Sequence, residues 1–122
     1  MKIRFYHYPK CSTSNAGLTF LRSKHIEPEI VLYCDDGIKK TELKELMNLL
    51  QISKPLGIIK RNGLTYRHLG LAHKELLDDE MLDVIAQNPK LLQRPILVCG
   101  NMAVVGKNEE VIQSFLTLCQ QS

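Results

Sequence analysis

The sequence predicts a mixed α/β fold in which a β-α-β unit and a β-β-α unit enclose a helical middle segment. Two short strand-like runs flank a helical run within the first 36 residues. Residues 37–92 carry helical periodicity and loop residues, and the chain then returns to strand-like runs before a last amphipathic helix. We therefore expect one domain with a core of residues 1–36 and 93–122 and a helical insertion at about 37–92.

The first β-α-β unit surrounds a loop that contains a cysteine. Residues 2–8 combine isoleucine, phenylalanine and tyrosine in a strand-like run, which Pro9 ends. The hydroxyl cluster at residues 12–14 offers N-cap groups for a helix predicted over residues 15–25. Cys11 is thereby placed at a helix N-terminus.

The middle of the chain is predicted to be helical, with loops. A buried strand at residues 30–33 and a turn at residues 35–37 precede it. Another helix begins at Asp78 and stops at Asn88 and Pro89. Between them lies a clearly amphipathic helix, whose apolar residues repeat at i, i+3, i+4 and i+7: Leu43, Leu46, Met47 and Leu50.

The last third of the chain returns to strands. Residues 96–99 form a continuous apolar run, Gly100 and Asn101 form a turn, and residues 103–105 are the antiparallel partner. Asn108 is expected to cap a final helix with acidic residues in its first turn. This order of elements fits a thioredoxin-like fold with a helical insertion.

Charge and hydropathy exclude several classes of protein. The chain has 16 basic and 13 acidic residues, and a net charge of +3 is too small to predict direct nucleic-acid binding. A local cluster of cations that attracts a small anion is easier to accommodate. Because no secretory segment and no apolar stretch of membrane-spanning length occurs, we expect a cytoplasmic protein without membrane partners.

Cys11 is the candidate nucleophile. It lies beside Lys10 and at a predicted helix N-terminus, and both a cation and unpaired helix N–H groups favour the reactive thiolate. Its polar neighbours argue against the alternative, a small hydrophobic residue buried in an apolar wall. His7 leaves two interpretations open: an ordinary imidazole at the edge of the core, or a group that tunes the thiol.

The other three cysteines are predicted to be structural. No two cysteines have Cys-x-x-Cys spacing, which disfavours zinc pairs and thioredoxin-like dithiols, and a resolving cysteine is replaced by Ser14. Cys99 and Cys119 accompany apolar runs and are expected in the core. Cys34 could resolve an adduct on Cys11, but no neighbouring cation would activate it, so a structural role is favoured.

A resemblance to a known family rests on the cysteine loop and on matches beyond it. Residues 6–14 read Tyr-His-Tyr-Pro-Lys-Cys-Ser-Thr-Ser. They resemble the Tyr-His-Asn-Pro-x-Cys-x-x-Ser pattern of the glutathione- and glutaredoxin-linked arsenate reductases of the ArsC family. Further matches follow in the same order over nearly the whole chain: Glu27-Pro28, Leu32-Tyr33, Leu69-Gly70-Leu71, Asn88-Pro89-Lys90 and Arg94-Pro95-Ile96-Leu97-Val98.

The resemblance implies an oxyanion site around the cysteine. Arg94 matches a family arginine, and Pro95 behind it is expected in the cis form, as in thioredoxin-like folds. Lys107 stands at a second arginine position, where the charge remains but the planar fork is lost. A third arginine position falls on Lys60 or, if the loop shifts by one residue, on Arg61. With the N–H groups of the loop, the implied oxyanion-binding residues are Ser12, Thr13, Ser14, Lys60, Arg61, Arg94 and Lys107.

The implied activity is reduction of arsenate to arsenite by Cys11, with His7 and Ser14 tuning its thiolate. Glutathione would be the co-substrate and glutaredoxin the partner, and no metal or bound cofactor is needed. Two departures weaken the match, Lys107 and an asparagine at position 15, where many relatives have arginine. Residues 105–110 also resemble the Spx-type regulators, which bind RNA polymerase. A regulator of that type, or a glutathione-dependent thiol reductase with another substrate, is therefore the alternative.

Overall fold

The computed structural model describes residues 2–121, in which four strands form one mixed sheet. The strands are β1 (Arg4–Tyr6), β2 (Glu29–Val31), β3 (Ile96–Cys99) and β4 (Met102–Val105), in the order β2-β1-β3-β4 across the sheet. β1 pairs in parallel with β2 and antiparallel with β3, and β3 pairs antiparallel with β4. A parallel pair needs a crossover, which α1 (Ser12–Ser23) supplies between β1 and β2.

The chain divides into two compact units. The first contains the whole sheet, α1 and the last helix, α6 (Glu109–Gln121), and it comprises the described residues up to Tyr33 and from Arg94 onward. The second comprises residues 34–93. The boundaries expected from the sequence, after residue 36 and before residue 93, differ from these by three residues and by one residue.

Helices α1 and α6 bury one face of the sheet in the first unit. Phe5 and Leu97 pair directly across β1 and β3, so their side chains point to the same face. α6 contacts both α1 and β4. The resulting buried cluster consists of Ile3, Phe5, Leu18, Leu21, Leu97, Ile112, Phe115, Leu116 and Cys119.

The start of α1 differs from the prediction. The helix begins at Ser12 rather than at residue 15, and its N-cap is Cys11, which makes no side-chain capping bond. The expectation that the hydroxyls of residues 12–14 cap the helix is therefore wrong. The Ser14 hydroxyl instead bonds the Tyr8 N–H and the His7 ring, and these partners occupy it inside the loop.

The end of the second strand also differs from the prediction. β2 ends at Val31, and residues predicted as a strand end and a turn form a short helix, α2 (Tyr33–Asp36). Asp35 and Asp36 lie in the first turn of α2. They are also its last two residues, so the predicted turn is present as a single helical turn.

Two helices form the framework of the second unit, as the sequence predicts. They are α3 (Lys40–Leu50) and α5 (Asp78–Gln87), and the Lys40 ammonium lies 2.9 Å from the carboxylates of both Asp79 and Asp83. This bridge ties α3 to α5 across the outside of their apolar contact. The remaining elements are α4 (Leu64–His68) and single 3₁₀ turns at Pro55–Ile58, Leu71–His73 and Pro89–Leu91.

The C-terminal hairpin and helix confirm the prediction. Gly100 is the first of the two residues that connect β3 to β4, and its φ of 61° is the one that a type II′ turn requires there. Asn108 accepts a hydrogen bond at 2.8 Å from the Val111 N–H and so caps α6. Within the described residues, no helix has both the length and the apolar character needed to cross a membrane.

Gly106 should be one of the least replaceable residues of the first unit. A Cβ atom there would lie 2.7 Å from Leu97 Cδ1 and 3.1 Å from Ile112 Cγ1. We expect Gly106→Ala to lower the free energy of unfolding by about 1–3 kcal/mol, the usual cost of overpacking a core. Urea unfolding followed by circular dichroism measures the change.

Gly63→Ala is the matched control, because a Cβ atom at Gly63 would have its nearest contact at 3.5 Å. Its effect should be much smaller. Equal effects from the two substitutions would show that Leu97 and Ile112 yield to the added methyl group.

Candidate active site

Cys11 lies in a tight loop between β1 and α1 that is held closed by hydrogen bonds. The Cys11 N–H donates to the Tyr8 carbonyl at 3.0 Å, and the Tyr8 N–H donates to Ser14 Oγ at 3.0 Å. The Asn15 side-chain amide donates to the Pro9 carbonyl at 2.7 Å. The Cys11 carbonyl accepts the first bond of the helix, from the Asn15 N–H. These hydrogen bonds fix Cys11 at the N-terminus of α1.

The surroundings of the Cys11 sulfur favour its thiolate. Burial raises the pKa of Cys11, and the residue is only 9 % exposed. Hydrogen bonds from the backbone N–H groups of Ser14 and Thr13 and from the Arg94 guanidinium lower the pKa, and so does the Arg94 charge. The stabilising contacts outweigh burial, so the pKa of Cys11 lies below its ordinary value. The thiolate is the form that attacks as a nucleophile.

Arg94 supplies the cation of this site. It is bonded to Pro95 through a cis peptide, and its guanidinium carbon lies 4.9 Å from the centroid of the Tyr8 ring. The ring supports the guanidinium by a cation–π contact while that group bonds the Cys11 sulfur. Lys10, which the sequence suggests as the activating cation, is exposed and is not among the groups that lower the pKa of Cys11.

His7 is buried and acts on the loop through Ser14. His7 Nδ1 and Ser14 Oγ form a hydrogen bond of 2.7 Å, and the imidazole packs against Phe5 with 5.5 Å between ring centroids. Burial lowers the pKa of His7, and the charge of Arg22 lowers it further. A neutral imidazole at the edge of the core thus holds the serine whose N–H contacts Cys11. Tuning of the thiolate by His7 stays a prediction.

A cleft of about 280 Å³ opens beside the first turns of α1 and α6. Exposed Ser12 and Thr13 line it from α1, and Lys107, Asn108 and Glu109 line it from the other side. Lys107 is therefore brought to the same cleft as two residues of the cysteine loop. The cleft offers hydroxyl groups and one ammonium to a small anion, although the role of each residue stays a prediction.

Lys60 and Arg61 belong to the second unit. Lys60 is half-buried, and its N–H donates to the Leu91 carbonyl at 2.7 Å, next to the bridge between Ile59 and Leu92. Arg61 is exposed. Their assignment to the oxyanion site stays a prediction.

The remaining cysteines occupy three different settings. Cys119 is buried in the core, as predicted, Cys99 is half-buried at its edge, and Cys34 is half-buried in α2. The described residues contain all four cysteines of the chain, and none of the four forms a disulfide. Within residues 2–121, no group of three or more histidine, cysteine, aspartate or glutamate side chains is placed to hold a metal ion.

Two residues of the site were missed by the sequence analysis. The Tyr8 ring contacts the Arg94 guanidinium. The sequence did contain a sign of this role, because Tyr8 stands where the family pattern has asparagine. Asn15 was noted only as a missing arginine, yet its amide closes the loop on Pro9. Both residues help to hold the loop around Cys11.

Comparison with known proteins identifies the family of the chain. The sequence model of the ArsC family matches residues 6–115. The chain belongs to the ArsC family. An arsenate reductase of Neisseria meningitidis serogroup A is 36% identical over 115 residues, which cover 94% of this chain and 98% of that relative. An arsenate reductase of Escherichia coli is 32% identical over 120 residues, which cover 98% of this chain and 84% of that relative.

Solved structures of ArsC-family proteins share the fold. The arsenate reductase from Vibrio cholerae superposes with a TM-score of 0.85 at 32% identity, covering 93% of this chain and 97% of the other. The resemblance to the ArsC family and the predicted thioredoxin-like fold are both confirmed.

The pKa of Cys11 can be tested by alkylation. We expect the rate of iodoacetamide labelling of Cys11 to rise with pH, with a midpoint below the ordinary value of about 8.5. Arg94→Ala should raise the midpoint, because it removes a hydrogen bond and a charge that favour the thiolate. Mass spectrometry of the Cys11 peptide across a pH series measures both midpoints.

Lys10→Ala is the matched control. It removes a cation adjacent to Cys11 in sequence but not one that lowers the pKa of the thiol, so the midpoint should not change. A wild-type midpoint at or above about 8.5, or equal shifts in both variants, would contradict this account of the site.

Proposed function

We propose that the chain is an arsenate reductase that uses Cys11 as its single catalytic cysteine and takes electrons from glutathione and glutaredoxin. The observation that carries the proposal is the Cys11 thiol itself, held at the N-terminus of α1 with its pKa lowered by N–H groups and by Arg94. The arsenate reductases among the relatives support the choice of substrate.

Arsenate and the thiolate are both anions, so the site must offset charge on the sulfur and on the oxygens at once. Arg94 and the N–H groups of the loop are already directed at the sulfur, and an arsenate that approaches the sulfur comes within reach of the same donors. A guanidinium has five N–H groups in a fixed fork. It can therefore keep its bond to Cys11 while it holds an arsenate oxygen.

The first chemical step forms a sulfur–arsenic bond. The Cys11 thiolate attacks the arsenic of hydrogen arsenate, two protons are taken up, and one oxygen leaves as water. Arsenic stays in the +5 state in this step, because one oxygen ligand has been replaced by sulfur. Arg94 and the loop N–H groups stabilise the charge that develops on the remaining oxygens.

The second step is the reduction. A glutathione thiolate attacks the Cys11 sulfur of the adduct, a disulfide between Cys11 and glutathione forms, and the electron pair of the sulfur–arsenic bond stays on arsenic. Arsenic leaves as arsenite in the +3 state. A glutaredoxin thiolate then attacks the glutathione sulfur and releases the Cys11 thiolate for another cycle.

The immediate neighbourhood of Cys11 supports the use of an external thiol. The position that would hold a resolving cysteine is Ser14, whose hydroxyl is engaged with Tyr8 and His7 and has no redox chemistry. The stretch that resembles the Spx-type regulators has a local structural explanation. Gly106 lets Leu97 and Ile112 approach closely, and Asn108 caps α6. It therefore does not by itself indicate an RNA polymerase partner.

Cys11→Ser should abolish the activity. We expect purified protein with glutathione and glutaredoxin to convert arsenate to arsenite, and the serine variant to give no rate above background, because an alcohol at this site is neither ionised nor able to form a disulfide. Arsenite formation is followed by chromatography with elemental detection. Turnover that survives in Cys11→Ser would exclude the proposed nucleophile.

Cys34→Ser is the control for the electron donor. If glutathione resolves the adduct, this variant should keep the wild-type rate and the wild-type dependence on glutathione. Loss of turnover in Cys34→Ser, or a disulfide between Cys11 and Cys34 during turnover, would replace the external-thiol mechanism by an internal one. Absence of arsenate turnover in wild-type protein that copurifies with RNA polymerase even as Cys11→Ser would favour the regulator.

The two cations of the first unit should differ in importance. Arg94→Ala should lower kcat/KM by about tenfold to a hundredfold, because losing a charged hydrogen bond to an anion costs about 1.5–3 kcal/mol. Lys107→Ala should have a smaller effect, since an exposed ammonium makes only a point contact. Lys107→Arg should improve binding of arsenate by restoring a planar fork. Equal, small changes in steady-state kinetics of all three variants would place the oxyanion elsewhere.

A further inference from the structure

We propose that Glu109 is a specificity-determining residue for the thiol donor: its carboxylate, in the cleft beside the cysteine loop, binds the free α-ammonium group of glutathione. The inference rests on the proposed function, which names glutathione as the donor, and it deepens that function by giving the donor a place to bind. The mechanism proposed for Cys11 does not itself use Glu109.

The cleft lies against residues that also contact the nucleophile. Thr13 lines the cleft, and the N–H of the same residue donates to the Cys11 sulfur. Ser12, which also lines the cleft, follows Cys11 directly in the chain. A thiol compound that occupies the cleft is therefore held beside the residues that surround the Cys11 sulfur.

The cleft has an apolar floor and a polar rim. The floor is formed by the buried residues Gly17, Gly106 and Ile112. The rim is exposed and consists of Ser12, Thr13, Ala16, Lys107, Asn108 and Glu109. Sites for whole small-molecule ligands usually occupy about 300–1,000 Å³. At about 280 Å³, this cleft suits one arm of a tripeptide better than the entire molecule.

Two charges of opposite sign stand on this rim without partners of their own. Lys107 and Glu109 are both exposed. In the chain from residue 2 to residue 121, neither side chain forms an ion pair. A rim that presents an ammonium and a carboxylate together is complementary to a ligand that carries both signs of charge.

Glu109 is the residue that discriminates between possible ligands. The ammonium of Lys107 attracts arsenate and the carboxylate of a thiol donor alike, so it does not identify the ligand. The carboxylate of Glu109 repels arsenate and attracts an ammonium group. Glutathione carries an ammonium and a carboxylate on one carbon at the end of its γ-glutamyl arm, away from its thiol. That end matches the rim and leaves the thiol free to reach Cys11.

The position of Glu109 in α6 gives it a second role, which Glu110 shares. Both residues lie in the first turn of α6, where carboxylates interact favourably with the helix dipole. Glu110 is equally exposed, but it is not one of the residues that line the cleft. Glu110→Gln is therefore the matched control, because it removes the same charge from the same turn of the helix.

Thiol–disulfide exchange without arsenate tests the inference. The Cys11 thiolate attacks one sulfur of glutathione disulfide, a bond between Cys11 and glutathione forms, the disulfide bond of the reagent breaks, and the other glutathione leaves as a thiolate. Cys11 is oxidised and one glutathione is reduced. Mass spectrometry of the Cys11 peptide gives the rate. Three reagents are compared near neutral pH: glutathione disulfide, the same disulfide acetylated on both amino groups, and uncharged hydroxyethyl disulfide.

Wild-type protein should react faster with glutathione disulfide than with its acetylated form, by about threefold to fivefold, the effect of an exposed ion pair. Glu109→Gln should slow the reaction with glutathione disulfide by the same factor and should no longer distinguish the two reagents. Glu110→Gln should behave as the wild type does. Hydroxyethyl disulfide should react at one rate with all three proteins, because it reports only the reactivity of the thiol.

Three outcomes would overturn the inference. They are a wild-type protein that does not distinguish the acetylated reagent, a preference that persists in Glu109→Gln, and equal losses in the two glutamine variants. The first of these needs no variant, so the test does not depend on the folding of a mutant. Because no arsenate is present, a chain that selects glutathione here but fails to reduce arsenate would contradict the proposed function and leave this inference standing.

Discussion

The site depends on the stabilisation of the Cys11 thiolate at the N-terminus of α1. Burial alone would keep Cys11 protonated, and the contacts that reverse this come from two places far apart in sequence. Ser14 and Thr13 offer N–H groups because the helix begins at Ser12, while Arg94 lies where the chain returns to the first unit, just before β3. If either the N–H groups or Arg94 were missing, less would oppose the rise in the Cys11 pKa that burial causes.

Close packing beneath the loop fixes where Arg94 can be. Gly17 faces Pro95 so closely that a Cβ atom there would lie 3.2 Å from Pro95 Cγ and 3.3 Å from both Phe5 and Ile112. α1 can therefore approach Pro95 closely, and Arg94, the residue before Pro95, contacts Cys11 at the N-terminus of the same helix. A glycine in the helix interior costs about 0.5–1 kcal/mol relative to alanine. At Gly17 the absence of a Cβ atom lets α1 pack closely against Pro95.

Local patterns predicted most of the fold, because most elements are specified by residues close in sequence. β3, the turn at Gly100 and the cap at Asn108 each follow from a few adjacent residues. The predictions failed where a side chain forms a hydrogen bond with a residue farther along the chain than the local pattern suggests. The Ser14 hydroxyl was expected at a helix cap, but the Tyr8 N–H and the His7 ring take it. Likewise, no periodicity relates Arg94 to Cys11, and only the resemblance to the ArsC family linked them.

The two thiol settings of the first unit show how environment divides the chemistry of one residue type. Cys11 is surrounded by N–H groups and a guanidinium, so the form that is stabilised is the anion, and its pKa is lowered. Cys119 is surrounded by apolar side chains and another thiol, so the form that is stabilised is neutral, and its pKa is raised. The place of Cys11 between a strand and a helix indicated the first setting in the sequence, whereas the second setting arises only when α6 packs on the sheet and buries Cys119.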